Sequence, residues 1–162
     1  MGDEKMMQAL EKIPYGVAVV TVGRGSAENG LTVSWMSQVS FDPPMIAVAI
    51  DKVHYSEEFL RSTKTFVVNL LGEDQKKIAG HFARESMAGD NKLASLNTRA
   101  SDGGAAILTD ALAYFDCEAV HFFPVGDHLL VVGKVEDAGL LKDGKPLTSE
   151  SGIRYRKSRP PH

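Results

Sequence analysis

One cysteine, Cys117, is all that the sequence offers for covalent cross-linking. A lone thiol cannot staple a fold, and secreted domains of this size usually carry cysteines in pairs, so the expectation is a cytoplasmic chain. Positive charge is also short. Lys and Arg total 18 against 21 for Asp and Glu, a formal charge of -3, with no basic stripe to follow a phosphate backbone; no nucleic-acid partner is expected. No apolar run reaches the roughly 18 residues of a membrane helix. The opening "MGDEKMMQALEKIPYG" starts with acids and lacks the basic and apolar regions of a signal peptide, so no membrane association is expected.

The common catalytic signatures are missing too. "GRGSAENG" holds Gly23, Gly25 and Gly30, but a dinucleotide fingerprint needs glycine where Glu28 stands, and a helix rather than a strand should follow. There is no P-loop and no G-x-S-x-G elbow. His54, His81, His121, His128 and His162 show no close helical pairing, so no metal site is expected. Adjacent Glu57 and Glu58 suit the positive end of a helix dipole better than acid–base chemistry. What remains is an ordinary globular composition, 43% hydrophobic and 24% charged over 162 residues, enough for one domain spanning 1–162 with its own core.

Its pattern is strand-rich. Met6, Met7, Leu10 and Ile13 recur at helical spacing and predict a short amphipathic helix before Pro14. "YGVAVVTVG", "MIAVAID" and "TFVVNLL" are apolar runs of strand length. "SEEFLRST", with Ser56 as N-cap, and "EDQKKIAGHFARES", with Ile78, Ala79 and Phe82 on one side, read as helices. Residues 84–104 form a polar excursion without a clear element. After it, a long hairpin turns at Pro124–Asp127. Strands without regular helix alternation predict a mainly β fold, a small antiparallel barrel with inserted helices.

The stretch "NGLTVSWMSQVSFDPP", residues 29–44, is read as one strand closed by Pro43 and Pro44. Alternation puts Leu31, Val33, Trp35, Ser37 and Val39 on one face, and Thr32, Ser34, Met36, Gln38 and Ser40 on the other. That second face bears short hydrogen-bonding groups and no charge. A half-buried strand normally carries charge on its polar face, so this uncharged strip beside the lone tryptophan is unusual.

"TVSWMSQVSFDPP", "IDK" with the hydroxyl-capped helix after it, "FVVNLL", "NKL", "GDHLLVVGKV" and the late tyrosine of "GIRYR" occur in an order that resembles the flavin reductase-like family. The resemblance covers most of the chain and implies a split β-barrel of antiparallel Greek-key type that binds FMN. It implies an oxidoreductase in which NAD(P)H reduces bound FMN, and the electrons pass to free flavin, a redox protein or ferric complexes. The alternative is an FMN-containing electron carrier with little nicotinamide activity of its own. By the same resemblance Asn29, Trp35, Met36 and Ser37 face or flank the flavin with Ser34 beside them, Ser56 takes the phosphate, and Lys52 and Lys92 are its cationic partners. His128 lies near the ring as an edge donor or proton carrier, Tyr155 covers the cofactor or nicotinamide side, and the subunits form a homodimer. The plain alternatives are a core role for Trp35, a solvated barrel wall for Ser34 and Ser37, an ordinary cap at Ser56, a solvated loop lysine at Lys92, a structural histidine at His128 and C-terminal packing for Tyr155.

Overall fold

The computed structural model describes residues 2–23, 29–53, 57–84 and 91–153. In chain order these form α1 (Gly2–Leu10), β1 (Ala18–Val22), β2 (Asn29–Val33), β3 (Met36–Phe41), β4 (Pro44–Asp51), α2 (Glu57–Thr63), β5 (Thr65–Leu70) and α3 (Lys76–Ala83). They continue as β6 (Thr98–Ala100), β7 (Ala106–Leu108), β8 (Ala113–Val125) and β9 (His128–Leu140). A 3-10 turn at Ser149–Ser151 follows. Seven strands make one sheet in the order β2-β1-β5-β8-β9-β4-β3, and β6 and β7 pair apart from it.

The sheet closes on itself, and strand direction proves it. Every neighbouring pair is antiparallel, so β1, β8 and β4 run one way, and β2 and β3 both run the other. Yet β2 and β3 lie on opposite edges, separated in sequence by only Ser34 and Trp35. Two codirectional strands joined by two residues cannot sit at the far edges of an open sheet. The edges meet, and one extended run passes from pairing with β1 to pairing with β4.

The single strand expected over 29–44 is therefore corrected to two, with a change of phase between them. Leu31 and Val33 are buried in β2, whereas at β3 it is Met36 that packs on the barrel core, while Trp35 and Val39 are about half exposed. Ser34 and Trp35 belong to neither strand, and the alternation is broken across them. The diproline does end β3, and Pro44 opens β4 across from Phe41.

The interior is built from alternate residues of the long strands, among them Val20, Val33, Val48, Phe66, Val68 and Val131. All five residues of β1 are buried because its other parity is covered as well: Val19 joins Phe82 of α3 and Leu93 in a second apolar layer. Buried polar groups tie the layers together. Asn69 donates from Nδ2 to the Val19 carbonyl at 3.0 Å and accepts the Leu108 N–H at 2.8 Å. Thr21 donates from Oγ1 to the Ala106 carbonyl. Hence the described stretch from Leu93 to β7 packs as a layer over the outside of the barrel, through β6–β7 and buried Leu93, while β6 keeps its own residues exposed.

The β8–β9 hairpin turns where expected, with Val125 opposite His128 and Gly126 at φ +57, a conformation glycine adopts without a Cβ clash. Helix α1 precedes Pro14 as its spacing predicts, but none of its residues is buried, and Met6, Met7 and Leu10 face outward. Its apolar stripe finds no complementary surface among the described residues. No helix among them is long and apolar enough to cross a membrane.

Candidate functional site

Inward and outward faces can be assigned residue by residue where β3, β4, β9 and β8 lie side by side. Val48, Ile50, Leu129 and Val131 belong to the interior cluster. Side chains alternate, so Ala49, Asp51, His128 and Leu130 point outward. The Trp35 carbonyl accepts the Ala49 N–H at 2.8 Å, which sets Trp35 beside Ala49 on the same outer face, and Ser37, opposite Ala47, shares it. Phe123 and Val125, opposite Leu130 and His128, continue the face onto β8.

Trp35 and His128 meet on this wall, ring centroids 4.7 Å apart and planes inclined at 39°. Trp35 is 47% exposed while His128 is only 6% exposed. A core role for Trp35 is thereby overturned, since half of its indole is bare. Asp127 Oδ1 lies 2.7 Å from His128 Nδ1. Lys52 holds the same turn twice, its N–H donating to the Asp127 carbonyl and its Nζ to the Gly126 carbonyl, both at 3.1 Å. Asp51, opposite His128, accepts the Val53 N–H at 2.9 Å. Tryptophan, imidazole, carboxylate and ammonium are thus gathered around one hairpin turn.

The remaining predicted residues are more scattered. Ser34 is 3% exposed and Met36 packs on the interior, so both turn away from the outer face and the solvated-wall alternative fails for Ser34. Ser37 is exposed, its hydroxyl donating to the Gln38 carbonyl at 3.0 Å. Met36 and Ser37 also line a cavity of about 450 Å³ with Gln38, Pro44, Phe115 and Val135. Asn29 opens β2 across from Val22, its Oδ1 accepting the Gly30 N–H at 2.8 Å. Lys92 is buried, and its Nζ donates to the carbonyls of Phe82, in the last turn of α3, and Arg84, just past its end. That overturns the solvated-loop alternative: the ammonium neutralises the negative end of a helix. Ser56 and Tyr155 lie outside the described residues.

Sequence reasoning passed over Asp127, Phe123 and Val125. An aspartate after glycine reads simply as a turn former, and the apolar pair reads as ordinary strand. The signal that could have found Asp127 is its place directly before His128 at a two-residue turn, within reach of the ring. Among the described residues no group of three His, Cys, Asp or Glu side chains is set to hold a metal ion.

The face fits a flat, partly polar ring. A half-exposed tryptophan offers apolar contact, the Ser37 hydroxyl can accept a hydrogen bond, and Lys52 supplies positive charge. The two carboxylates nearby are engaged, Asp51 with a backbone N–H and Asp127 with His128.

Residues 10–156 match the flavin reductase like domain. The chain belongs to the flavin reductase-like family. It is 32% identical over 141 residues to diflavin flavoprotein A 1 of Synechocystis sp., covering 86% of this chain and 25% of that protein. It is 32% identical over 143 residues to the high molecular weight rubredoxin of Moorella thermoacetica, covering 87% of this chain and 62% of that one. The chain therefore spans about a quarter of the length of the diflavin relative. Among solved structures, the NADH:FAD oxidoreductase SgcE6 of Streptomyces globisporus superposes with a TM-score of 0.84 at 27% identity, over 98% of this chain and 94% of that one. Flavin reductase HpaC complexed with NADP+ superposes at 0.78 with 28% identity, over 90% and 92%. The split-barrel fold follows from these matches.

Proposed function

We propose that the protein is an FMN-binding oxidoreductase that takes electrons from NAD(P)H and delivers them, through the flavin, to free flavin, a redox protein or a ferric complex. The observation that carries this is the half-bare Trp35 beside buried His128 on an outer wall. The SgcE6 structure with NAD and FAD fragments, 28% identical at a TM-score of 0.82, supports a nicotinamide donor. FMN supplies the redox chemistry when bound; the chain's own residues orient it, shield it and manage protons. Trp35 and Ser37 would hold the ring side, His128 a ring-edge atom, and Lys52 with Ser56 the phosphate end. Lys92, its ammonium at the end of α3, would reach a phosphate only by sharing that charge.

The test is a visible spectrum of the purified protein followed by anaerobic titration with NADH and with NADPH. Bleaching of a bound flavin by either is the expected result. FMN should bind more tightly than riboflavin by about 1.5–3 kcal/mol, the usual worth of a hydrogen bond to a charged group. Equal affinity would overturn the phosphate assignment.

A homodimer belongs to the same reading. Phe123 and Val125 extend the outer face as exposed apolar surface, and the α1 stripe is bare as well, which are surfaces that pairing of two copies would cover. Sedimentation of the flavin-loaded protein as a 17.5 kDa monomer would contradict it. The cytoplasmic assignment rests on the unpaired Cys117.

The second reading is an electron carrier that a partner protein reduces. It is favoured by the relatives, a diflavin flavoprotein and a high molecular weight rubredoxin, of which this chain spans only part. A bound flavin that neither nicotinamide reduces, but a redox protein does, would establish it.

A further inference from the structure

We infer that Asp127 is a positioning residue that fixes which nitrogen of His128 carries the proton; this rests on the reading of His128 as the group at the flavin's edge. The carboxylate oxygen of Asp127 stands 2.7 Å from Nδ1. An ionised carboxylate only accepts hydrogen bonds, so it selects the tautomer with the proton on Nδ1. Nε2 is then the nitrogen whose protonation changes when the imidazole gains or loses charge. In the neutral ring only that tautomer carries its lone pair on Nε2.

The rest of the turn is arranged to keep this pair in register. Asp127 is held through its own carbonyl by the Lys52 N–H, and the preceding Gly126 carbonyl is held by Lys52 Nζ. His128 opens β9 on the ladder opposite Asp51, so its backbone is fixed by the sheet. Trp35 leans on the ring at 4.7 Å and limits its rotation. The imidazole is buried while the Asp127 side chain is 65% exposed. The pair is therefore an orienting contact at the rim of the barrel rather than a buried ion pair, and replacing Asp127 removes no core packing.

Lys52 thus acts on His128 through the main chain of the turn. This role is compatible with a phosphate contact, but it predicts that a lysine substitution also loosens the imidazole.

The test combines imidazole ¹⁵N spectroscopy of the flavin-free protein, at the alkaline end of a pH titration where the ring is neutral, with stopped-flow reduction of the loaded protein. Wild type should show the Nδ1–H tautomer at His128. Asp127→Asn, whose amide both donates and accepts, should lose that preference, and flavin reduction by NAD(P)H should slow by roughly tenfold or more, within the hundredfold that general acid–base catalysis commonly supplies. Asp127→Glu should recover the tautomer at least in part, which separates a carboxylate effect from loss of fold. An unchanged tautomer in Asp127→Asn overturns the proposal, and so does a changed tautomer with an unchanged rate. If wild-type flavin is reduced by neither nicotinamide, the oxidoreductase reading falls, and the spectra of the two variants decide the positioning role alone.

Discussion

Replacing Trp35 with alanine should separate flavin binding from folding, because the indole is divided between the two. It is 47% exposed, and a tryptophan contributes about 150–250 Å² of buried area when covered, so roughly 100 Å² remains for a ligand. At about 25 cal/mol per Å² that surface is worth up to ~2.5 kcal/mol of binding. A loss of that size weakens affinity by about sixtyfold. The folding side is smaller: the contact with His128 is of the aromatic-pair kind, worth about 0.5–1.5 kcal/mol. In a chain of this length, each kcal/mol moves Tm by about 2–4 °C. Trp35→Ala should therefore raise the Kd for FMN by tens of fold in a fluorescence-quenching titration, while the flavin-free protein melts only a few degrees lower. Unchanged affinity would refute the reasoning, since it would mean that the bare half of the indole meets solvent in the loaded protein too. Collapse of the fold would refute it from the other side.

Three further outcomes follow from the barrel itself. A Cβ on Gly133 would lie 2.5 Å from Phe66 Cζ and 2.8 Å from Cys117 Cβ, so Gly133→Ala should cost about 1–3 kcal/mol by overpacking; denaturant melts check it, and strict additivity with Phe66→Leu would sink the explanation. Burial raises the Asp116 carboxyl above its ordinary 3.8, only partly offset by the Gly103 N–H, with Asp102 and Asp137 pushing the same way. A raised folded value means stability present below the ordinary carboxylate value and lost as pH rises through the folded one, so Asp116→Asn should melt higher than wild type at neutral pH, with the gap closing in acid; a lower Tm at neutral pH would refute this. Burial likewise pushes the Cys117 thiol up to about 12, and a maleimide should label it only after unfolding.

How much of this was legible beforehand depended on whether the deciding contact was local. Strands β1, β4 and β5 and the β8–β9 turn could be read because each is an apolar run closed by glycine, proline or a polar turn, and those signals lie within a few residues. The break at Ser34–Trp35 could not. The chain leaves β1 there and joins β4, with Ser34 and Trp35 in neither ladder and a further register shift between Gln38 and Ser40, and those partners are set by strands distant along the chain. Lys92 is similar: its composition says loop, and only the return of the chain to the end of α3 buries its ammonium. Tryptophan and histidine were singled out as residue types, but their meeting at 4.7 Å depends on the register of β3, β4 and β9 together.

That register links the site to the fold more tightly than either residue alone. Met36 sits opposite Val48 and faces the interior, which leaves Trp35 opposite Ala49 and facing out. A slip of one residue along β4 would exchange them, turning the indole inward and setting an uncharged thioether beside His128. The pairing that packs Met36 is the same one that bares Trp35, so the packing that stabilises the barrel also sets the candidate site. The pairing of Asp51 with His128 adds a second constraint on the same strand. With β4 held on both sides, the backbone that carries the two rings is fixed by the sheet before any ligand arrives.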